Sequence, residues 1–394
     1  AKLSEFYTEL GQNLALFAKV KALAASADYV GLSAARRQII EHQLRDFRLS
    51  GAELPDAEKT RFAEIQARLS ELSARFSQNV LDATDGFARY IDDVAELDGL
   101  PDDVLEMMRA AAEADGKPGY KLKLHFPFYF PVMQYANHRT LRESMYRDNV
   151  TRASEFGPAE LDNTLLISEI LALRAEEASL LGFENYAQVS LAPKMADSPS
   201  QVIGFLRDMA ARAKPFAERD RAELEAFARE ELDLDELHAW DLAWASEKLR
   251  VARYDFSEQE VKAYFSEARV LDGLFGIIGK LFGVTIEPTP ATLWHADARF
   301  WTVRRHGQPV AQFYTDLYAR EGKRGGAWMA DIRARRQLAD GSVQIPVALL
   351  TCNFTAPVGD KPALFTHDEV ITLFHEFGHG LHHMLTEVDE LGVS

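Results

Sequence analysis

Leu373-Phe374-His375-Glu376-Phe377-Gly378-His379-Gly380-Leu381-His382-His383 is the stretch on which the reading of this chain turns. Just upstream, Thr366-His367-Asp368-Glu369 has the form of a capping box, with a threonine placed to cap and a glutamate three residues on. A helix is therefore expected from about His367. At about 100° per residue, Asp368, Thr372, His375, His379, His382 and His383 fall on one side of it, and Val370, Phe374, Phe377, Leu381, Met384 and Leu385 on the other. One face packs and the other carries chemistry.

Two histidines four residues apart project side by side, so their imidazole nitrogens can reach a single Zn²⁺ at about 2.0–2.1 Å. Glu376, beside them, can take the proton of a zinc-bound water whose pKa the metal lowers towards about 7. This predicts metal-assisted hydrolysis of a peptide bond. A catalytic zinc wants three protein ligands and an open fourth position, and only two are secured here. The variant with a third histidine ten residues after the first is excluded, because that position is Leu385. His382 lies within a turn of the second ligand, better placed to contact substrate or orient a ligand than to bind metal. Asp368 is a candidate for the same supporting role, or simply a first-turn acid favoured by the helix dipole. Glu387 and Glu390 are too close on the same element to swing back.

The rest of the chain narrows the setting. With 394 residues, 47% of them apolar, it is long enough for more than one folded unit and a large core. A formal net charge of −17 argues against a nucleic-acid partner, which needs clustered Lys and Arg. Cys352 is the only cysteine, so a disulfide framework is excluded and a reducing compartment, the cytoplasm, is expected. Leu271 to Ile286, among the longest apolar stretches, is broken by Asp272, Lys280 and glycines, so no membrane span is predicted. Both ends read as cuts through a longer protein: Ala1 opens inside a helical pattern, and Ser394 follows shortly after the histidine helix.

Residues 1–135 read as an N-terminal helical region, with apolar spacing such as Ile65, Leu69, Leu72, Phe76 and Val80. Within it, Tyr120 to Tyr135, with Pro127 and Pro131, reads as a strand pair or extended segment. Residues 136–394 read as the catalytic region, truncated after the histidine helix. Here Arg299 to Arg305, Val310 to Tyr318 and Gln344 to Phe354 are rich in Val, Phe, Tyr and Trp, and predict a small antiparallel sheet before that helix. Gln344 to Phe354 is read either as a strand along which substrate pairs or as a purely structural one. Gly322-Lys323-Arg324-Gly325-Gly326 lacks the order of a phosphate loop; a flexible loop touching substrate through Arg324, or a plain connection, fits better.

The eleven-residue stretch, longer and more specific than the bare His-Glu-x-x-His pattern, resembles the thimet oligopeptidase family of zinc metallopeptidases. Phe313 to Trp328, Cys352-Asn353-Phe354, Ile170 to Arg174 and Leu191 to Ala196 also look like family segments. The resemblance implies a mainly α, two-lobed, zincin-like molecule with a channel that admits short peptides. It further implies His375 and His379 as ligands, Glu376 as the base, and a third ligand, a Glu, on a helix beyond Ser394. Asn353 and Arg324 join His382 and Asp368 as candidate substrate or supporting contacts. The expected function is a monomeric zinc endopeptidase for oligopeptides, with one Zn²⁺ per chain. The alternatives are a peptidyl-dipeptidase of the same family and a non-catalytic helical peptide-binding protein.

Overall fold

The computed structural model describes residues 2–359 and 361–394. The chain forms two compact units. One takes in residues up to Asp82 together with Ala153–Arg221; the other takes in Ala83–Arg152 and Ala222–Gly392. Two of the three boundaries fall inside the long helices Asp56–Asp85 and Pro199–Glu231, and the third follows the helix Arg139–Val150. Composition does not change there, whereas it does change near the 135/136 division read from the sequence.

The first unit is helical. Phe17 and Phe47 pack at 5.1 Å between ring centroids, and Arg61 and Arg68 reach across to Glu176 and Glu169 in paired bonds of 2.6–2.8 Å. The second unit carries the histidine helix, His367–Met384. Its cap is as the sequence predicts: the Glu369 amide donates to Thr366 Oγ1 (3.1 Å), and Glu369 Oε2 accepts from the Thr366 amide (2.8 Å). The other oxygen of the buried Glu369 carboxylate accepts from the Thr355 amide (3.2 Å), tying the helix start to the chain leaving the sheet. Burial pushes the Glu369 carboxyl up, and these two amides pull it back only in part. Thr366→Ala is expected to lower stability by about 1 kcal/mol in urea denaturation, because it orphans the Glu369 amide.

The helix packs on a five-stranded sheet: β1 Thr285–Pro288, β2 Arg299–Arg305, β3 Gln308–Tyr318, β4 Trp328–Arg333 and β5 Val347–Phe354. The order is β1-β2-β3-β5-β4. Three pairings are antiparallel, as the turn signals suggest, but β3 and β5 run parallel. The reason is topological. After β3 the chain crosses to the far edge as β4 and leaves a gap, which β5 then fills between them. The apolar stretch from Gln344 is also shorter as a strand than it reads. Pro346 interrupts it, and Val343–Gln344 pairs instead with Arg336–Gln337. β5 is hydrogen-bonded on both sides, so it is structural and has no edge to offer a peptide. That edge belongs to β4.

A second difference concerns Tyr120 to Tyr135. Tyr120–Leu122 is a strand, paired with Arg89–Ile91, but Phe126–Tyr135 is a helix. Pro127 sits in its first turn, where an amide would have no partner anyway, and burial of Val132, Met133 and Gln134 outweighs the break at Pro131.

The core under the histidine helix is aromatic. Phe377 meets Phe313 edge to face (5.5 Å, 85°), Phe275 meets Trp301 (5.0 Å), and Trp301 Nε1 donates to Thr315 Oγ1 (3.0 Å). Gly380 lies against the sheet: a Cβ placed there would stand 3.1 Å from Leu350 Cδ2. Among the described residues, no helix is long and apolar enough to cross a membrane.

Candidate metal centre

The buried stripe of the helix runs through Glu369, Leu373, Phe377, Gly380 and Met384. His375, His379, His382 and Asp368 are exposed on the other side, as the periodicity predicts. His375 Nε2 and His379 Nε2 approach to 3.2 Å, with the rings edge to face at 4.8 Å. Two nitrogens so spaced, each about 2.0–2.1 Å from one ion, subtend about 100–106° at it, close to the tetrahedral angle. The donor pair therefore fits zinc without rearrangement. No group of three His, Cys, Asp or Glu side chains suited to a metal occurs among the described residues, so the two imidazoles stand without a third protein ligand there.

Glu376 sits at the margin between the faces and is 9% exposed. Behind it lies Cys352, wholly buried in β5. Burial pushes the Cys352 thiol up to about 12; nearby Lys323 opposes this, while the charges of Glu376 and Glu369 add to it. That thiol is a packing residue, not a nucleophile.

The remaining candidates are tied to the loop between β3 and β4. Asn353 Nδ2 donates to the carbonyls of Arg324 (2.9 Å) and Gly326 (2.7 Å), pinning the loop across the end of β5. Gly326 takes φ +94°, which a side chain would resist. Arg324 is exposed, with its guanidinium 5.7 Å from the Trp328 ring centroid. Lys323 turns inward. Its buried Nζ donates to Asp316 Oδ1 (2.8 Å), Asp316 O (3.0 Å) and Tyr318 O (2.7 Å). Asp316 also accepts from Arg320 (2.6 and 2.7 Å) and from Trp294 Nε1 (3.0 Å). Burial alone would raise its carboxyl, but these donors more than reverse that and hold it well below the usual range. Asp85 accepts from the Gly322 amide (3.0 Å) and faces the buried ring of His125 at 2.8 Å. The loop is thus anchored at Gly322, Lys323, Arg324 and Gly326, rather than being a flexible connection. The Asp316 cluster has no local signal in the sequence beyond a lone acid in an apolar strand.

His382 lies one turn past His379, exposed. His383, which the sequence leaves as an exposed bystander, is partly covered, with Nε2 3.1 Å from the carbonyl of Arg333 at the end of β4. Asp368 and Thr372 line a cavity at the start of the helix, together with Asn353 and Gly326.

This helix and sheet lie within residues 132–394, which match the model of peptidase family M3. The chain belongs to peptidase family M3. Residues 1–59 match the neurolysin/thimet oligopeptidase N-terminal domain. The chain is 49% identical over 396 residues to oligopeptidase A of Escherichia coli, covering 100% of this chain and 58% of that protein. It is 49% identical to oligopeptidase A of Haemophilus influenzae (98% and 57% covered) and 32% identical to dipeptidyl carboxypeptidase of E. coli (97% and 56%). A Bacillus anthracis protein assigned as an oligoendopeptidase F shares the fold, with a TM-score of 0.50 at 16% identity over 96% of this chain and 53% of that one. The chain therefore spans less than two thirds of the length of these relatives.

Proposed function

We propose that this chain carries the catalytic helix of a zinc-dependent endopeptidase that hydrolyses short peptides. The observation that supports it most is the 3.2 Å convergence of His375 Nε2 and His379 Nε2 on the open face of a rigid, capped helix, with Glu376 beside them. His375 and His379 are two of three protein ligands, and the third comes from outside the described residues. When bound, zinc supplies Lewis-acid polarisation and lowers the pKa of water. Glu376 holds a carboxylate where it can take a proton from the attacking water and pass it to the leaving amine. The anchored loop and β4 frame the peptide beside the helix. Greater identity to the oligopeptidases A than to a dipeptidyl carboxypeptidase favours internal cleavage over release of C-terminal dipeptides. The net charge of −17 disfavours nucleic acid as a partner, and a single buried cysteine fits the reducing cytoplasm. The enzyme works as a monomer.

Metal analysis of the full-length protein tests the ligand assignment. About one zinc per chain is expected, falling at least tenfold in His379→Ala under the same dialysis. Retention of full zinc occupancy by that variant would overturn it.

A further inference from the structure

A cleft of about 970 Å³ opens on another part of the second unit. None of its lining residues belongs to the histidine helix, the five-stranded sheet or the loop that Asn353 holds. One wall is the end of the helix Pro199–Glu231, where Glu223, Phe227 and Glu230 recur at the spacing of a single face. The other is the helix Leu242–Tyr254, with Glu247, Val251 and Ala252. An ion pair between Arg253 and Glu223 ties the two walls together.

Glu223, Glu230, Glu231 and Glu247 stand in this cleft against one lysine, Lys248. Acidity alone marks no more than a solvated surface. What sets the cleft apart is one oxygen. Glu247 is only 5% exposed, and its Oε2 accepts from Gln134 Nε2 (3.2 Å) and from Arg250. Its Oε1 is buried and has no hydrogen-bond donor among the described residues. A buried carboxylate oxygen without a donor is costly. The nearby cations are committed elsewhere: Arg250 is shared between Glu247 and Glu258, Arg253 holds Glu223, and Lys248 Nζ lies 5.6 Å from the Trp244 ring centroid.

The chemistry of the partner follows. No group of three His, Cys, Asp or Glu side chains suited to a metal occurs among the described residues, which disfavours a metal ion. A guanidinium seeks both oxygens of a carboxylate, and here only one is free. An ammonium group, a point charge with three donors, needs only one. Pro101, Phe227, Val251 and Ala252 give the cleft apolar sides suited to an alkyl stem. Glu230 and Glu231, both exposed, can face a second positive charge.

We propose that this cleft binds a primary alkylammonium group, seated on Glu247 Oε1 with its stem along the apolar wall. The terminal torsion of a glutamate is soft, so a modest swing of the carboxylate brings Oε1 to the cleft. A free linear polyamine and the lysine side chain of a peptide share this chemistry. The site stands apart from the histidine pair and does not rest on the peptidase reading.

Titration calorimetry tests it on the full-length protein carrying Glu376→Gln, with spermidine, Nα-acetyl-lysine amide and, as a neutral control, butanediol, all at one ionic strength. One amine per chain is expected to bind, and butanediol not at all. Glu247→Gln should weaken both amines by about tenfold or more, since an amide oxygen offers the ammonium no charge. Joint replacement by Glu230→Gln and Glu231→Gln should weaken spermidine by about two- to fivefold and leave acetyl-lysine amide unchanged. Ala252→Arg, at an exposed position, puts a guanidinium into the cleft and should abolish binding; it serves if circular dichroism shows Glu247→Gln to be misfolded. Tighter binding of spermidine assigns the site to free polyamines, and tighter binding of the lysine amide assigns it to peptides; either supports the proposal. Failure of both amines to bind, or binding that Glu247→Gln and Ala252→Arg leave unchanged, would overturn it.

Discussion

Glu376→Gln is expected to lower the turnover of oligopeptides by about 10²–10⁴-fold while zinc occupancy stays at its wild-type level. Gln keeps the size and shape of the side chain, so the packing of a residue only 9% exposed, beside Cys352 and below the two histidines, is preserved. What it removes is the capacity to accept a proton. Because the two imidazoles converge without help from Glu376, metal binding and activity should separate cleanly. The loss should fall on kcat, since a base acts in the transition state, with KM little changed. Hydrolysis at an undiminished rate would refute the assignment of the base. A folded wild-type protein that binds zinc and peptides yet turns neither form over would support the non-catalytic peptide-binding alternative.

Asp316→Ala is expected to destabilise the protein by about 3–5 kcal/mol, read from the urea midpoint at neutral pH. The carboxylate is buried and neutralises Lys323, itself buried, while Arg320 and Trp294 complete its partners. Removing it strands an ammonium group with only two carbonyls. The pH dependence has a definite sign. The folded carboxyl is held below its unfolded value of about 3.9, so its stabilisation is fully present above that pH and is lost as pH falls through the folded value. The gap between wild type and variant should therefore narrow only in strong acid. A gap that closes between pH 7 and 5 would mean that another group is responsible.

What could be read from the sequence follows how local each feature is. The capping box at Thr366 and the split of the helix into two faces depend on neighbours a few residues apart, and both were legible. The parallel pairing of β3 with β5 was not, because it depends on where β4 inserts, and nothing within Val347–Phe354 records that. Pro127 and Pro131 argued against a helix, yet one sits where a missing amide does no harm. Asn353 was singled out as a candidate substrate or supporting contact within the family-like segment Cys352-Asn353-Phe354. Its Nδ2 is committed to two loop carbonyls, so it holds the loop as well as lining the cavity at the helix start. Asp316 drew no notice because nothing in the sequence shows that Arg320 and Lys323, four and seven residues on, fold back onto it or that Trp294, 22 residues earlier, reaches it.

Gly380 follows the second histidine directly and faces Leu350 at a distance that leaves little room for a methyl group. The absent carbon works as a gauge. It sets how low the helix rides on the sheet, and so how far the imidazole pair stands from the free rim of β4. Any larger residue would have to jack the helix up by a few tenths of an ångström, or push aside a leucine that has no exposed surface. In the proposed enzyme, the reach between metal and peptide is thus set from behind, on the dry side of the helix, by a residue that touches neither.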